Sequence, residues 1–242
     1  MTKVLVIGDG RMGTIIRELV EADESLELTG VIGIDNKDEL ADATPAADVA
    51  IDFSHKSMLD LVEAYVNRTG AALVSGTTGY DEAEMGRIRA LGEKAPVIHS
   101  ANYSLGVAVL RRLAAEAAKA LPGFDIEIVE THHNQKADAP SGTAKMLARA
   151  IEESGDFPEV HGRDGVCPRQ KGEIGIHAIR GGTIVGEHTV LFAGDDELIE
   201  IKHTALSKQV FVAGAIKAAE FALSAPKGFY SMGNALFPHN AH

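Results

Sequence analysis

Two imidazoles and an ammonium stand at positions 132–136 of the 242-residue chain, in the run His132-His133-Asn134-Gln135-Lys136. Histidine titrates near neutrality and lysine carries a compact ammonium that can also give up a proton, so such a trio can exchange protons and attract an anion. The run continues Ala137-Asp138-Ala139-Pro140-Ser141-Gly142-Thr143-Ala144. Ser-Gly-Thr ahead of an apolar-periodic stretch reads as the start of a helix, whose free N–H groups hold anions. A carboxylate gripped by the Gly142 and Thr143 amides, the Thr143 hydroxyl and a nearby cation would be fixed in orientation, as hydride transfer requires. The stretch therefore reads as a receptor for a small acid with a proton source beside it. Plainer readings stay open: adjacent histidines in a solvated loop, and an N-cap cluster with no further task. A metal site is not expected, because His132 and His133 point apart on a strand and no third ligand follows at a suitable spacing.

The second constellation is Gly8-Asp9-Gly10-Arg11-Met12-Gly13, a G-x-G-x-x-G that follows a strand-like run and opens a helical pattern. Gly8 permits the tight turn, Gly10 lets backbone approach a pyrophosphate, and Gly13 lets helix and strand pack closely. Asp35 lies about 20 residues further on, where a carboxylate accepts hydrogen bonds from the adenosine ribose. That favours NADH, while Lys37 is near enough in sequence to compensate the extra phosphate of NADPH. Turn chemistry with Asn36 is the other reading of Asp35. Asp52-Phe53-Ser54 and Gly76-Thr77-Thr78-Gly79 end strands on the same edge and could reach the nicotinamide ribose and amide, although such residues occur in any loop.

These side chains need a scaffold, and the chain supplies two patterns. Residues 4–7, 28–34, 49–53, 72–75 and 97–100 read as five strands, separated by amphipathic stretches 12–21, 57–67 and 82–91, the signature of a doubly wound parallel sheet. After about residue 104 the pattern changes: an Ala-rich helix 105–121, a strand 126–131, a helix 143–154, then period-2 segments 175–180, 183–192 and 197–204. That predicts an α+β domain with a mixed, mostly antiparallel sheet faced by helices. A last helix, 210–224, returns to the first domain, so residues 1–103 completed by 208–242 form a dinucleotide domain and 104–207 a substrate and oligomerisation domain. The tail Pro238–His242 has no periodicity and takes no part in the fold argument.

Composition sets limits on function. Apolar residues make 45% of the chain and charged residues 24%, ordinary globular values. A formal charge of −12 without a basic run argues against nucleic acid as a partner. Cys167 is the one cysteine, so no intrachain disulfide is expected. Three residues precede the first strand, too few for a cleaved signal, and no apolar run approaches the ~18 residues of a membrane span, so a cytoplasmic location is expected.

The pattern E-x-H-H-x-x-K-x-D-A-P-S-G-T-A at 130–144 resembles the signature of the 4-hydroxy-tetrahydrodipicolinate reductase (dihydrodipicolinate reductase) family of bacterial and plant lysine biosynthesis. The likeness extends over nearly the whole chain. It takes in the Gly8–Gly13 loop, Asp52-Phe53-Ser54, Gly76-Thr77-Thr78-Gly79, Ser100-Ala101-Asn102-Tyr103-Ser104, Arg180-Gly181-Gly182, Gly186-Glu187-His188-Thr189, and His203-Thr204-Ala205 through Phe211. The resemblance implies a Rossmann-like first domain, a homotetramer built through the second sheet, and hydride delivery from NADH or NADPH to a cyclic dicarboxylic imine. It also implies that His132 and Lys136 handle the proton and that His133, Gly142 and Thr143 bind substrate. The cofactor would rest on Gly8, Asp9, Gly10, Arg11, Met12, Gly13, Asp35, Phe53, Gly76, Thr77, Thr78, Ala101, Asn102 and Tyr103, with Lys208 and Phe211 near the hinge. Lys208 and Asn36 stand where many or some relatives carry Arg. From spacing alone, either His132 or Lys136 can give the proton. A different dehydrogenase of similar build, or a dinucleotide-binding sensor without turnover, are the rival readings of the residues.

Overall fold

Strand-length apolar runs separated by amphipathic stretches fold as the pattern requires. The computed structural model describes residues 1–237; the tail Pro238–His242 lies outside the described residues. Its contacts divide the chain into two units, Met1–Leu105 joined by the stretch from Gln209 onward, and Gly106–Lys208.

The first unit runs β1 (Thr2–Ile7), α1 (Arg11–Ala22), β2 (Leu26–Ile32), α2 (Glu39–Asp42), β3 (Val49–Asp52), α3 (Leu59–Thr69), β4 (Ala72–Ser75), α4 (Glu82–Ala90) and β5 (Pro96–His99). All pairings are parallel, and a sixth strand from the far end of the chain, β11 (Gly228–Tyr230), closes the order β11-β5-β4-β3-β1-β2. Every residue of β3 and β4 is buried, as covered parallel strands demand. Leu5, Ile7, Val62, Tyr65, Leu73 and Val97 share one core cluster, each stabilising by roughly 1.5–3 kcal/mol when fully buried. The chain leaves β1 for β2 on one side and then β3 on the other, which opens a crevice beyond the carboxyl ends of these strands.

Two sequence expectations need correction here. The strand expected at 28–34 stops at Ile32, because the Asn36 side chain accepts from Gly33 N (2.8 Å) and donates to Val31 O (3.2 Å), folding the chain into a turn. Asp35 is thus a turn residue and not a strand end. The sheet has six strands where five were expected, since β11 has only three residues and no periodicity of its own.

The second unit opens with α5 (Leu105–Ala120), followed by β6 (Asp125–His132), α6 (Gly142–Glu152), β7 (Glu159–His161), β8 (Ile174–Arg180), β9 (Gly186–Ala193) and β10 (Leu198–Ala205). The sheet order is β10-β9-β6-β8-β7. It is mixed: β9 is antiparallel to β10 and β6, while β6, β8 and β7 run parallel. In β6 and β9 every second residue is buried, so one face carries Ile126, Ile128, Val190 and Phe192 against Leu110 and Ala114 of α5 and Leu147 and Ile151 of α6. The other face keeps Ile179 and Leu198 exposed, at 49% and 57%. After Lys208, α7 (Gln209–Ser224), β11 (Gly228–Tyr230) and α8 (Met232–Leu236) complete the first unit, α7 lying on β3, β4 and β5. A Cβ on Gly214 of α7 would lie 1.6 Å from Tyr103 O, so only glycine allows that helix to seat.

Candidate active site

Period-2 alternation carries β6 from its apolar core to its chemistry: Ile126 and Ile128 face inward, and so do the next two inward positions, Glu130 and His132. Glu130 has no solvent exposure, and a buried carboxylate must be hydrogen-bonded and paired. Arg180, registered beside His132 on the parallel strand β8, meets it with both prongs, Nη1 to Oε2 at 2.8 Å and Nη2 to Oε1 at 2.9 Å. Ser141 N donates to Oε1 at 2.9 Å, and His132 Nδ1 lies 2.5 Å from Oε2. Burial alone would raise the Glu130 carboxyl, but these bonds from Arg180, His132 and Ser141 outweigh it and hold the group below the usual carboxylate range.

His188 of β9 pairs opposite Glu130 and sets its ring edge-on to His132, with centroids 5.1 Å apart. Its Nε2 lies 3.0 Å from Ser141 Oγ, the N-cap oxygen that also accepts from Ala144 N at 3.1 Å. Burial, with the charges of neighbouring groups, pushes the His188 pKa down to about 3, so the ring is neutral. Burial likewise lowers that of His132, with help from the Lys136 and Arg180 charges and against the pull of Glu130. Because an ionised carboxylate can only accept, the neutral His132 ring carries its proton on Nδ1.

The loop after β6 is pinned to the β8–β9 turn, Asn134 N donating to Gly182 O and Gly181 N to His132 O. Lys136 Nζ reaches Asp138 Oδ1 at 2.7 Å, and Arg180 Nη2 donates to Asp138 O at 2.7 Å. His133 is half-buried, Gly142 is exposed with open space where a Cβ would be, and Thr143 is buried in the first turn of α6. The structure thus brings His132, His133, Lys136, Gly142 and Thr143 into one loop and helix start. It adds Glu130, Ser141, Arg180 and His188, to which the residue reading gave no individual role. For Glu130 a signal was present: a carboxylate two residues before a histidine, on the inward side of an alternating strand.

In the first unit the glycine loop has the geometry a pyrophosphate needs. Gly8 has φ +108°, and a Cβ there would lie 2.5 Å from Phe53 O. A Cβ on Gly13 would lie 1.8 Å from Gly8 O, the close helix–strand approach expected of it. Gly10 caps α1 with nothing within 4 Å of an added Cβ, and no side chain caps that helix end. Asp9 and Arg11 are exposed and Met12 is half-buried. A cleft of about 190 Å³ adjoins this loop, lined among others by Ile34, Phe53, His55 and Met58. These residues fit a dinucleotide, with backbone N–H groups at the start of α1 for the phosphates.

The neighbouring strand ends are less free than their composition suggests. Buried Asp52 takes hydrogen bonds from Ser54 Oγ (2.5 Å), Ser75 Oγ (3.2 Å) and Thr77 Oγ1 (2.9 Å), so these hydroxyls are engaged within the protein. Burial raises the Asp52 carboxyl against those bonds. Gly76 makes room for the Phe53 ring, while Thr78, Asp35 and Ala101 are exposed. Asn102 Oδ1 accepts from Ser104 N, and fully buried Tyr103 donates its hydroxyl to Ser75 O at 2.8 Å and Ile98 O at 3.1 Å. Lys208 closes the second unit and Phe211 lies in the first turn of α7, both half-buried.

Family models described as the N-terminus and C-terminus of dihydrodipicolinate reductase match residues 2–103 and 106–236. A 4-hydroxy-tetrahydrodipicolinate reductase of Brachyspira hyodysenteriae is 41% identical over 232 residues, 95% of this chain and 97% of that protein. One of Exiguobacterium sibiricum is 48% identical over 204 residues, 84% of this chain and 82% of its own. Among solved structures, a dipicolinate-bound dihydrodipicolinate reductase from Paenisporosarcina sp. TG-14 shares the fold with a TM-score of 0.79 at 23% identity, covering 98% of this chain and 99% of that one.

The neutral, buried His188 makes the second unit acid-sensitive. Its folded pKa of about 3 lies below the ~6.5 of an unfolded histidine, so the unfolded state takes the proton first. The stabilisation is complete above about pH 6.5 and is lost progressively as pH falls toward the folded value. His188→Gln keeps a partner for Ser141 but does not titrate, and should flatten the plot of Tm against pH between about 6.5 and about 4. An unchanged slope would place the acid sensitivity elsewhere.

Proposed function

The chain belongs to the dihydrodipicolinate reductase family, and from that premise we propose that it reduces 4-hydroxy-tetrahydrodipicolinate to tetrahydrodipicolinate, with NADH or NADPH as donor, in diaminopimelate and lysine biosynthesis. The observation that carries this reading is the 130–144 segment, which sets a neutral His132 and the Lys136 ammonium in the loop that leads to the start of α6.

The balance of the reaction assigns the protein its tasks. When bound, the nicotinamide supplies the hydride; the substrate also gains a proton and releases water. One substrate carboxylate rests on the Gly142 and Thr143 amides at the start of α6, with His133 and Lys136 beside it, which fixes the ring for transfer. Lys136 gives the proton: its ammonium has three donors, and its partner Asp138 is a largely exposed carboxylate that a substrate can displace. His132 enters as an acceptor at Nε2, since its own proton is committed to Glu130. Gly8, Asp9, Gly10, Arg11, Met12 and Gly13 hold the pyrophosphate, Asp35 the adenosine ribose, and the segments Phe53, Gly76–Thr78, Ala101–Tyr103, Lys208 and Phe211 the remainder.

We place the enzyme in the cytoplasm, in keeping with its biosynthetic task; among the described residues no helix is long and apolar enough to cross a membrane. We also infer a homotetramer formed through the second sheet, in keeping with the family resemblance; the outer face of that sheet carries the exposed Ile179 and Leu198.

Three measurements test these readings. In an assay that follows NADH loss with the aldolase-generated cyclic imine, His132→Ala and Lys136→Ala should each lose about 10²–10⁴ in rate while still binding NADH; wild type that binds NADH yet leaves the imine untouched refutes the substrate. For the cofactor, Asn36 has both ends of its amide engaged in the turn, and the exposed Asp35 carboxylate would face a 2′-phosphate. A like-charge contact near 4 Å in water costs about 1 kcal/mol, so NADH should bind at least about fivefold more tightly than NADPH in fluorescence titrations. Equal affinities would mean that Lys37 compensates. Light scattering should give about four times the 25.6 kDa of one chain, and Leu198→Lys should lower that mass; a monomeric wild type overturns the assembly.

A further inference from the structure

The two ring nitrogens of His132 meet different surroundings, and this inference, which rests on the reductase reading, concerns what sets them. Nδ1 lies 2.5 Å from Glu130 Oε2, on a carboxylate already held by both prongs of Arg180 and by Ser141 N. On the other side stands Gly186, next on β9 to Glu187, which pairs with Thr131. A Cβ at that glycine would lie 3.1 Å from His132 Nε2, tighter than nine in ten real contacts of this kind, and 3.4 Å from Cδ2. Gly186 opens β9 and has no positive φ, so a left-handed backbone does not explain it.

We propose that Glu130, clamped by Arg180, and Gly186 are positioning residues that preset His132, the first fixing its proton on Nδ1 and the second keeping Nε2 clear for substrate. The carboxylate acts on orientation as well as on tautomer, because a ring tethered through Nδ1 cannot rotate Nε2 away. Arg180 keeps the carboxylate ionised, and so acceptor-only, inside a buried site. His188 packs against the same ring, with centroids 5.1 Å apart, and its own Nε2 is engaged with Ser141. The charged and titratable groups around the imidazole are Glu130 on β6, Arg180 on β8, His188 on β9 with His203 paired opposite it on β10, and His133, Lys136 and Asp138 in the loop.

Long-range ¹H–¹⁵N spectra of histidine-labelled protein without substrate read the tautomer directly. The wild type should show His132 protonated on Nδ1 with an unprotonated Nε2, and Glu130→Gln should lose that single-tautomer signature. In kinetics, Glu130→Gln should lower kcat by about 10²–10⁴ with KM for the imine within about threefold, and Glu130→Asp should recover part of the loss. Glu130 raises the His132 pKa, so its removal should also move the acid limb of the kcat–pH profile to lower pH, which a purely structural defect does not do. Gly186→Ala should keep the wild-type tautomer but raise KM for the imine, because the added methyl crowds the Nε2 edge of the ring and leaves the Nδ1 side untouched. A wild-type ring protonated on Nε2, a Glu130→Gln enzyme with undiminished kcat, or a Gly186→Ala enzyme with unchanged kinetics overturns the proposal. If Glu130→Gln fails to fold, the wild-type spectrum and Gly186→Ala still decide. If the wild type shows the expected tautomer but does not reduce the imine, the reductase reading fails and the preset ring stands as a structural fact with a different substrate.

Discussion

A carboxylate without solvent exposure at the end of β6 is the constraint around which the second unit's site is organised. Moving one ion out of water costs several kcal/mol even after relaxation, and removing one member of a buried pair costs about 3–5 kcal/mol because the other is left uncompensated. Glu130 is tolerated because three elements converge on it: β8 brings Arg180, the start of α6 brings Ser141 N, and β6 itself brings His132. The convergence requires parallel pairing of β6 and β8 in the observed register, with Arg180 beside His132. The bonds that make the carboxylate affordable are also those that fix the loop, the helix cap and the imidazole. The stability of this carboxylate and the presetting of His132 proposed above therefore draw on the same contacts.

The first unit holds a buried carboxylate on the opposite terms. Asp52 also has no exposure, but its partners are the hydroxyls of Ser54, Ser75 and Thr77, and burial raises its carboxyl where Arg180 and its other partners hold that of Glu130 down. Hydroxyls stabilise a carboxylate less than a guanidinium fork does. They suit a place where the need is to tie β3 and β4 together at their carboxyl ends, beside the glycine loop. With those side chains engaged, Gly76 and Thr78 are left to present backbone at the crevice, and the Phe53 ring fills the space that a side chain at position 76 would need.

Much of this was legible in the residues because the relevant signals are short-range. The three glycines of residues 8–13 each have the local geometry their spacing predicts, since tight turn, open cap and close packing depend on neighbours a few positions away. The Ser141 cap and the alternation that buries Ile126, Ile128, Glu130 and His132 were of the same kind. What escaped was set by pairing across the sheet. Arg180 and His188 lie far from Glu130 in sequence, and only the registers of β8 and β9 bring them to it. The extent of the second strand was missed for a local reason: the Asn36 amide bonds back to Val31 and Gly33 and ends a strand whose apolar pattern runs on to Ile34, the turn chemistry that was the other reading of Asp35.

The same accounting explains how a chain of formal charge −12 can hold two anions. Charges further than a Debye length of about 8 Å are screened at physiological salt, so the site responds to its own neighbours. Within that range Arg180 is spent on Glu130, and His132 and His188 are both neutral, so neither histidine supplies the attraction. Lys136, whose partner Asp138 stands 58% exposed, and the positive end of α6, a helix of three turns, can supply it. Neither source depends on a histidine proton. On the proposed reading, capture of a carboxylate can thus persist at a pH where the His132 and His188 rings are uncharged, which suits His132 to the part of acceptor and not of electrostatic anchor.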